Sequence, residues 1–176
     1  MKKTIFVAQF YCYVKQITKT ISLQEYDTIE ELTPEQQALL TAAELATHRA
    51  YAPYSNFYVG AAVLLENNEI IIGTNQENAA YPSGLCAERT AIFAAATCFP
   101  NVAFTKIAIV ANAKNWKIDT PVYPCGACRQ SLSEYEFLHK KNIEVIMKGK
   151  YGKIHIANSI SDLLPFMFTS DNLTPY

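Results

Sequence analysis

Hydrophobic and polar positions alternate along the chain in two ways, one typical of helices and one typical of strands. From Thr33 the sequence reads Thr-Pro-Glu-Gln. A capping residue, a proline at the first helical position and a glutamine three residues after the cap favour the start of a helix. Apolar residues then recur on one helical face: Leu39, Ala42, Ala43, Ala46 and Ala50. This spacing predicts an amphipathic helix that ends before Pro53.

The central part of the chain predicts a hairpin followed by alternating helices and strands. Strands are predicted at 58–65, 70–73, 106–111, 143–147 and 154–156, and helices at 88–98 and from 125 to about 139. The polar stretch 66–69 between the first two strands is typical of a hairpin turn. The continuous apolar runs 106–111 and 143–147 indicate strands covered on both faces. This order predicts an α/β fold, a mixed sheet with helices on both sides.

The first 32 residues are harder to interpret. Apolar and polar side chains alternate between residues 6 and 15, which favours a strand or an added edge segment. The segment is either an ordered extension, packed on the body or on a neighbouring subunit, or a disordered arm. Because the rest of the chain has no repeat, linker or low-complexity run, we expect an N-terminal extension (1–32) and one catalytic domain (33–176).

Composition and charge exclude several classes of partner. The chain has 176 residues and a formal net charge of -1, without a basic stripe, so nucleic acid is a poor partner. No run approaches the roughly 18 apolar residues of a membrane span, and the apolar start breaks at Gln9 without a clear signal-peptide cleavage site. Five cysteines, an odd number, fit a reducing cytoplasm better than a disulfide framework.

Three of these cysteines stand at positions suited to a metal. Cys125 and Cys128 have Cys-x-x-Cys spacing at the start of a helix, so both sulfurs can reach one ion. Cys86 precedes another helical run, and a helix N-terminus favours a thiolate over a thiol. Three sulfurs without a fourth ligand predict an open, catalytic Zn²⁺ site rather than a closed structural one. Glu88, two residues after Cys86, can lie near the metal without ligating it and transfer protons.

The motifs that carry these residues resemble a known family. Cys-Ala-Glu-Arg at 86–89 and Pro-Cys-Gly-Ala-Cys-Arg-Gln at 124–130 are similar to the zinc signature of the cytidine deaminases. Cysteine as the first ligand resembles the branch that acts on free nucleosides. The resemblance spans roughly residues 33–168, and it implies a three-layer α/β/α fold, for which we expect a mixed, mostly parallel sheet.

The resemblance also implies roles for residues around the motifs. Glu88 would be the catalytic proton carrier, and Arg89 would contact a ligand sulfur and offset its negative charge. The backbone N–H of Ala87 is suited to hold the pyrimidine carbonyl. Phe57, in the stretch Tyr-Ala-Pro-Tyr-Ser-Asn-Phe, would pack against the pyrimidine ring, although such a residue is otherwise an ordinary core aromatic.

Further expected substrate contacts lie outside the zinc motifs. Asn75 and Glu77, one residue apart on a polar segment, match the ribose-binding segment of the family. Tyr81 matches a tyrosine that enters a neighbouring subunit's site. An aromatic after Leu-Leu-Pro would help close the site, and Phe168 is our match with Phe166 as the rival.

Together with these features, the resemblance implies hydrolytic deamination of cytidine and 2′-deoxycytidine to uridine and 2′-deoxyuridine plus ammonia, as in pyrimidine salvage. It also implies a homotetramer with shared sites. Two departures from the family put substrate fit in doubt: the loop 112–123 is longer than expected, and Tyr123 stands where a serine is expected. One alternative is therefore a deaminase of another cytosine-bearing nucleoside or antibiotic. The other is a non-enzymatic, zinc-stabilised module, which three thiols and a proton-transferring glutamate argue against.

Overall fold

The computed structural model describes residues 14–173, which form one six-stranded sheet with helices on both faces. The strands are β1 (Gln24–Tyr26), β2 (Phe57–Leu65), β3 (Ile70–Thr74), β4 (Phe104–Ala113), β5 (Glu144–Gly149) and β6 (Ile154–Ala157). The helices are α1 (Pro34–Ala46), α2 (Ala87–Cys98) and α3 (Gly126–His139). Most of the strand predicted between residues 6 and 15 lies outside the described residues, and Val14 and Lys15 are not in a strand.

The strand order is β1-β6-β5-β4-β2-β3. The predicted α/β fold with a mixed sheet is confirmed, but the expectation of mostly parallel strands is wrong. Within the described residues only β4 and β5 pair in parallel, and the other pairings are antiparallel. The reason lies in the connections. Only α3 serves as a crossover between neighbouring strands, whereas β2–β3 and β5–β6 are joined by short turns that reverse the chain.

The helices cover the sheet from two sides, which gives three layers. Side chains of α1 pack with one set of strand residues, among them Ala62, Val110 and Ile146. The opposite face packs against α2 and α3 and contains alternate residues of the same strands, such as Val63 and Ile109. Because both faces are covered, β2, β4 and β5 are apolar at nearly every position, as their sequences predict.

The first helix begins as its sequence indicates. Gln36 N–H donates to the Thr33 hydroxyl at 3.3 Å, and Thr33 N–H donates to the Gln36 side chain at 3.0 Å. These two bonds form the expected capping box. The α-helix ends at Ala46 and continues as a 3₁₀ turn over Thr47–Arg49, so Ala50 lies outside it.

The described part of the N-terminal segment packs on the rest of the protein. β1 pairs with β6 at the edge of the sheet. Further upstream, Lys19 donates to the carbonyl of Pro165, and its ammonium lies 5.2 Å from the centroid of the Phe166 ring. The division into an extension and a catalytic domain at residue 33 stays a prediction.

None of the helices between residues 14 and 173 combines the length and apolar character needed to cross a membrane.

Candidate active site

Two helix starts bring three thiols to one point. Cys86 is the N-cap of α2, Cys125 is the N-cap of α3, and Cys128 lies in the first turn of α3. The Sγ atoms of Cys86 and Cys125 are 3.8 Å apart, and those of Cys125 and Cys128 are 3.5 Å apart. All three ligand atoms lie within 4.8 Å of one another. The structure therefore places together the three residues predicted as metal ligands.

The geometry of the thiols fits zinc. A tetrahedral site with Zn–S bonds of ~2.3 Å has sulfurs ~3.8 Å apart, close to the separations seen here. Among residues 14–173 no further His, Cys, Asp or Glu joins this group, which leaves a fourth position for water or substrate. The Nη2 atom of Arg89 is 3.7 Å from Cys86 Sγ, while its buried Nε has no hydrogen-bond partner among residues 14–173. A zinc-bound thiolate at Cys86 would give the guanidinium an anionic acceptor at Nη2.

The surroundings favour a thiolate even without metal. A hydrogen bond from Cys128, helped by Arg89, lowers the pKa of Cys86 to about 5. The same contact, together with burial, raises the pKa of Cys128. The thiolate form is therefore favoured at Cys86 over Cys128. A bound dication would remove the remaining thiol protons, because metal ligation requires the thiolate.

Glu88 lies beside the cluster and is almost completely enclosed. It is 5 % exposed and lies in the first turn of α2. Burial raises the pKa of its carboxyl, and the negative charge on Cys86 raises this pKa further. A carboxyl group with a raised pKa can both accept and return a proton near neutral pH, as an acid–base catalyst must.

Cys86, Cys125 and Glu88 lie in the wall of a cavity of about 670 Å³, and Cys128 is buried beside them. Nine of the residues predicted from the sequence line this cavity: Phe57, Asn75, Glu77, Tyr81, Cys86, Ala87, Glu88, Arg89 and Cys125. Most of the predicted site residues thus surround one space large enough for a small ligand. Phe168 does not: it is 56 % exposed and is absent from the lining. Tyr81 lies at the rim, 77 % exposed, with its ring 6.3 Å from that of Tyr54.

Asn75 and Glu77 are both engaged with the segment that carries Phe57. Asn75 Nδ2 donates to the Phe57 carbonyl at 2.9 Å, and Val59 N–H donates to Asn75 Oδ1 at 2.8 Å. Glu77 accepts from Tyr54 N–H at 2.9 Å and from the hydroxyl and N–H of Ser55. The Ser55 hydroxyl lowers the pKa of Glu77, as do the two backbone donors, so this carboxyl stays ionised. The polar residues expected to contact a sugar therefore also fix the position of the expected ring-stacking residue.

Two contacts made by residues at or next to the cavity were not anticipated from the sequence. Ser55 belongs to the Tyr-Ala-Pro-Tyr-Ser-Asn-Phe stretch, and its hydroxyl donates to the Glu77 carboxylate. The two residues are 22 positions apart in the sequence, so the motif alone does not indicate this bond. Trp116, in the long loop after β4, lies nearly parallel to Phe57, with centroids 6.3 Å apart and an interplanar angle of 14°. The unusual length of that loop was the one feature of the sequence that could have indicated a contact between Trp116 and Phe57.

Comparison with known proteins identifies the family. The model of the cytidine and deoxycytidylate deaminase zinc-binding region matches residues 33–143. Cytidine deaminase of Halalkalibacterium halodurans is 40 % identical over 139 residues, which is 79 % of this chain and 98 % of that protein. Cytidine deaminase of Sporosarcina psychrophila is 37 % identical over 138 residues, 78 % of this chain and 94 % of that protein.

A solved structure agrees with these relatives. The crystal structure of cytidine deaminase from Burkholderia pseudomallei superposes with a TM-score of 0.67 at 40 % identity, covering 78 % of this chain and all 100 % of that chain. The resemblance found in the motifs and the expected zinc cofactor are thereby confirmed. The chain belongs to the cytidine deaminase family of zinc-binding enzymes.

Proposed function

We propose that this protein hydrolyses cytidine and 2′-deoxycytidine to uridine and 2′-deoxyuridine, with release of ammonia, and so serves pyrimidine salvage. The observation that carries the proposal is the enclosed Glu88 carboxyl beside three clustered thiols, inside a cavity of about 670 Å³. The similarity to proteins named cytidine deaminase over nearly their whole length supports the choice of substrate.

Cys86, Cys125 and Cys128 would hold Zn²⁺. When bound in an open site of this kind, Zn²⁺ lowers the pKa of water to ~7 and so supplies a nucleophile at neutral pH. Three thiolates donate strongly and would weaken that effect. The guanidinium of Arg89, 3.7 Å from Cys86 Sγ, and the N-termini of α2 and α3 offset the accumulated negative charge.

Glu88 moves the protons of the reaction. It accepts a proton from the attacking water and passes it to N3 of the pyrimidine as the oxygen adds to C4. It then carries the second water proton to the exocyclic amino group, so that the C4–N bond breaks and neutral ammonia leaves. The raised pKa of Glu88, caused first by burial, suits a group that must both take and give protons.

The remaining cavity residues would bind and orient the nucleoside. Phe57 packs against the ring, and the N–H of Ala87, at the free N-terminus of α2, donates to the pyrimidine carbonyl. Asn75 and Glu77 receive the sugar hydroxyls. Their existing bonds to the chain around Phe57 hold them in place before substrate binds, which lowers the entropy cost of binding.

We further propose a homotetramer with shared sites. Tyr81 and Phe168 are exposed aromatic residues. Tyr81, at the rim of its own cavity, would also enter the site of a neighbouring subunit, and Phe168 would help close a site. A fully active monomer in light scattering would contradict this assembly. The use of free thiols supports a reducing compartment, the cytoplasm.

The proposed activity is tested by ammonia release from cytidine and 2′-deoxycytidine with zinc-loaded protein, with Glu88→Gln as the matched inactive control. Turnover that disappears with Glu88→Gln supports the proposal. A panel of base- and sugar-modified cytosine nucleosides distinguishes the second candidate, a deaminase of another cytosine-bearing compound. This second candidate is tested because Trp116 stacks on Phe57 and Tyr123 lies in the cavity wall, and both residues belong to the loop that departs from the family. No ammonia from any member of the panel would refute both.

A further inference from the structure

The N-terminal strand reaches the cavity wall through three side chains, the Glu25–His155–Tyr123 row. Glu25 in β1 lies directly opposite His155 in β6, and its Oε2 is 2.9 Å from His155 Nε2. On the other side of the imidazole, Nδ1 is 2.5 Å from the Tyr123 hydroxyl. Tyr123 in turn lines the cavity. An element outside the region matched by the family model, residues 33–143, is thus connected to the active site.

The direction of the bond at the Glu25 end of the row follows from its chemistry. The carboxylate of Glu25 can only accept, and hydrogen bonds from Lys153 and His155 lower its pKa. His155 Nε2 therefore carries a hydrogen and donates to Glu25, and a second hydrogen bond joins His155 Nδ1 to the Tyr123 hydroxyl. The His155 side chain is only 19 % exposed, and its ring lies against that of Tyr123 with centroids 5.9 Å apart. The tyrosine is consequently held in one orientation.

The segment that Tyr123 anchors leads directly to a metal ligand. Tyr123 is followed by Pro124 and Cys125. The Pro124 carbonyl accepts from Arg129 Nε at 2.8 Å, and Arg129 Nη1 donates to the Leu163 carbonyl at 3.0 Å. Arg129 thus fixes this segment from the α3 side, whereas the row fixes it from the β6 side.

Cys125 depends on this anchoring more than the other two thiols do. Cys128 is fully buried within α3, and Cys86 receives a hydrogen bond from Arg89. Cys125 is exposed and is the N-cap, with an extended backbone at φ −67° and ψ 168°. Its position is therefore set by the chain before the helix as well as by the helix itself.

We propose that Tyr123 is a positioning residue which, held by His155 and Glu25, places the Cys125 thiol and the adjoining wall of the cavity. The strand β1 is then part of the support of the active site rather than a separate appendage. The part of this inference that concerns turnover rests on the proposed deaminase function, whereas the part that concerns zinc retention does not.

The experiment measures two quantities on the zinc-loaded full chain: the rate of zinc release into excess chromogenic chelator, and kcat and KM for cytidine. Tyr123→Phe keeps the ring and removes only the hydroxyl. Glu25→Ala removes the far end of the row. We expect each to release zinc faster by about 3- to 10-fold, the effect of losing a hydrogen bond, with kcat/KM reduced by a similar factor. In the double variant the effects should not add, because both changes break the same row.

Two matched variants separate positioning from general stability of the sheet edge. Glu25→Gln keeps an oxygen that accepts from His155, so it should restore release and kcat/KM to near wild-type values. Lys153→Ala removes the ion pair with the same Glu25 carboxylate but leaves the bond to His155, so it should also resemble wild type.

The proposal is overturned if Tyr123→Phe releases zinc at the wild-type rate, or if Lys153→Ala has as large an effect as Glu25→Ala. If wild-type protein releases no ammonia from cytidine, the proposed function fails, but zinc release still decides the role of the row.

Discussion

The side-chain amide of Asn75 is bonded to the backbone of Phe57. Its Nδ2 donates to the Phe57 carbonyl at 2.9 Å, and its Oδ1 accepts from the N–H of Val59 at 2.8 Å. The regular pairing of β2 with β3 ends at Gly60 and Thr74. Beyond it, the Asn75 N–H donates to the Val59 carbonyl at 3.2 Å, so the backbone and the side chain of Asn75 together extend the ladder. This contact binds the expected sugar-reading residue to the residue expected to stack on the pyrimidine.

Asn75→Ala should therefore lower both stability and activity. The N–H of Val59, a residue that is 9 % exposed, would lose its partner, at a cost of about 1–3 kcal/mol in the free energy of unfolding. Urea denaturation measures this loss, and Asn75→Asp, which keeps the acceptor for Val59, should recover part of it. Turnover of cytidine should fall further than turnover of its 3′-deoxy analogue. Equal losses for the two nucleosides would show that Asn75 only supports β2 and does not contact the sugar.

Glu88→Gln should abolish turnover while leaving the site assembled. The amide has nearly the same shape but cannot accept and relay protons. We expect kcat to fall by ~10²–10⁴-fold or more, because one acid–base role contributes that much and Glu88 has several steps to serve. Zinc content, measured by atomic absorption, and nucleoside binding should remain near wild type. Retained zinc together with more than about a tenth of wild-type turnover, well above what this loss allows, would disprove the proton relay.

Cys125→Ala should have a different effect, since it removes a proposed metal ligand. Changes in residues that merely support a ligand cost about 10- to 100-fold in metal affinity, so we expect more than about 100-fold here, with a lower melting temperature as well. Cys98→Ala is the matched control, because Cys98 is an exposed free thiol outside the three-cysteine group. Zinc bound equally by both variants would refute the assignment of Cys125.

Glu77 should contribute to the acid sensitivity of the fold. Its pKa lies below the ordinary value of 4.5 because the Ser55 hydroxyl and two backbone N–H groups bond to the carboxylate. A carboxyl group whose pKa is lower in the folded than in the unfolded state stabilises the fold at pH values above the unfolded-state pKa. This contribution is lost as the pH falls below 4.5 through the folded-state pKa.

Glu77→Gln should thus show a smaller drop in unfolding free energy between neutral and acidic pH than wild type does. The difference should be small, because the carboxylate is near the surface and is screened by solvent. Glu69→Gln removes a carboxylate from the turn after β2 and serves as the control. An unchanged pH dependence in Glu77→Gln would mean that the Ser55 contact contributes nothing to stability.

Local motifs predicted the clustering of the three cysteines and the position of Glu88 beside them, because the residues of each motif follow one another at a helix start. Most helices and strands were also predictable, since a core covered on both faces leaves a clear apolar pattern in β2, β4 and β5. The parallel or antiparallel direction of strand pairing was not predictable, because it depends on which strands become neighbours in the sheet.

Contacts over long sequence distances were equally hidden from the sequence. The bond between Glu25 and His155 joins residues 130 positions apart, and short polar strands such as β1 carry no periodic signal. The bonds of Asn75 to β2 also required the register of the hairpin. The sequence interpretation therefore assigned Asn75 only a contact with the sugar. The roles of the individual substrate-binding residues stay predictions until the variants are measured.

Strand β3 and helix α2 approach each other closely at Gly73. A Cβ atom on Gly73 would lie 2.3 Å from the backbone nitrogen of Ala91 and 2.5 Å from the carbonyl oxygen of Ala87. Both atoms belong to the backbone of α2, which cannot move aside as a flexible side chain can. Gly73→Ala should push the helix away from the sheet, at a cost of at least ~1–3 kcal/mol in the free energy of unfolding.

Because the proposed ligand Cys86 is the N-cap of α2 and the helix carries Glu88, Gly73→Ala should reduce kcat as well, although Gly73 is not among the cavity-lining residues. Urea denaturation and cytidine turnover measure the two effects. Gly126→Ala is the matched control for stability, since a Cβ there meets nothing within 4 Å, and its unfolding free energy should stay within about 0.5 kcal/mol of wild type. If Gly73→Ala were equally harmless, α2 could shift from β3 without cost, and the tight approach of helix to sheet would not be what positions Glu88.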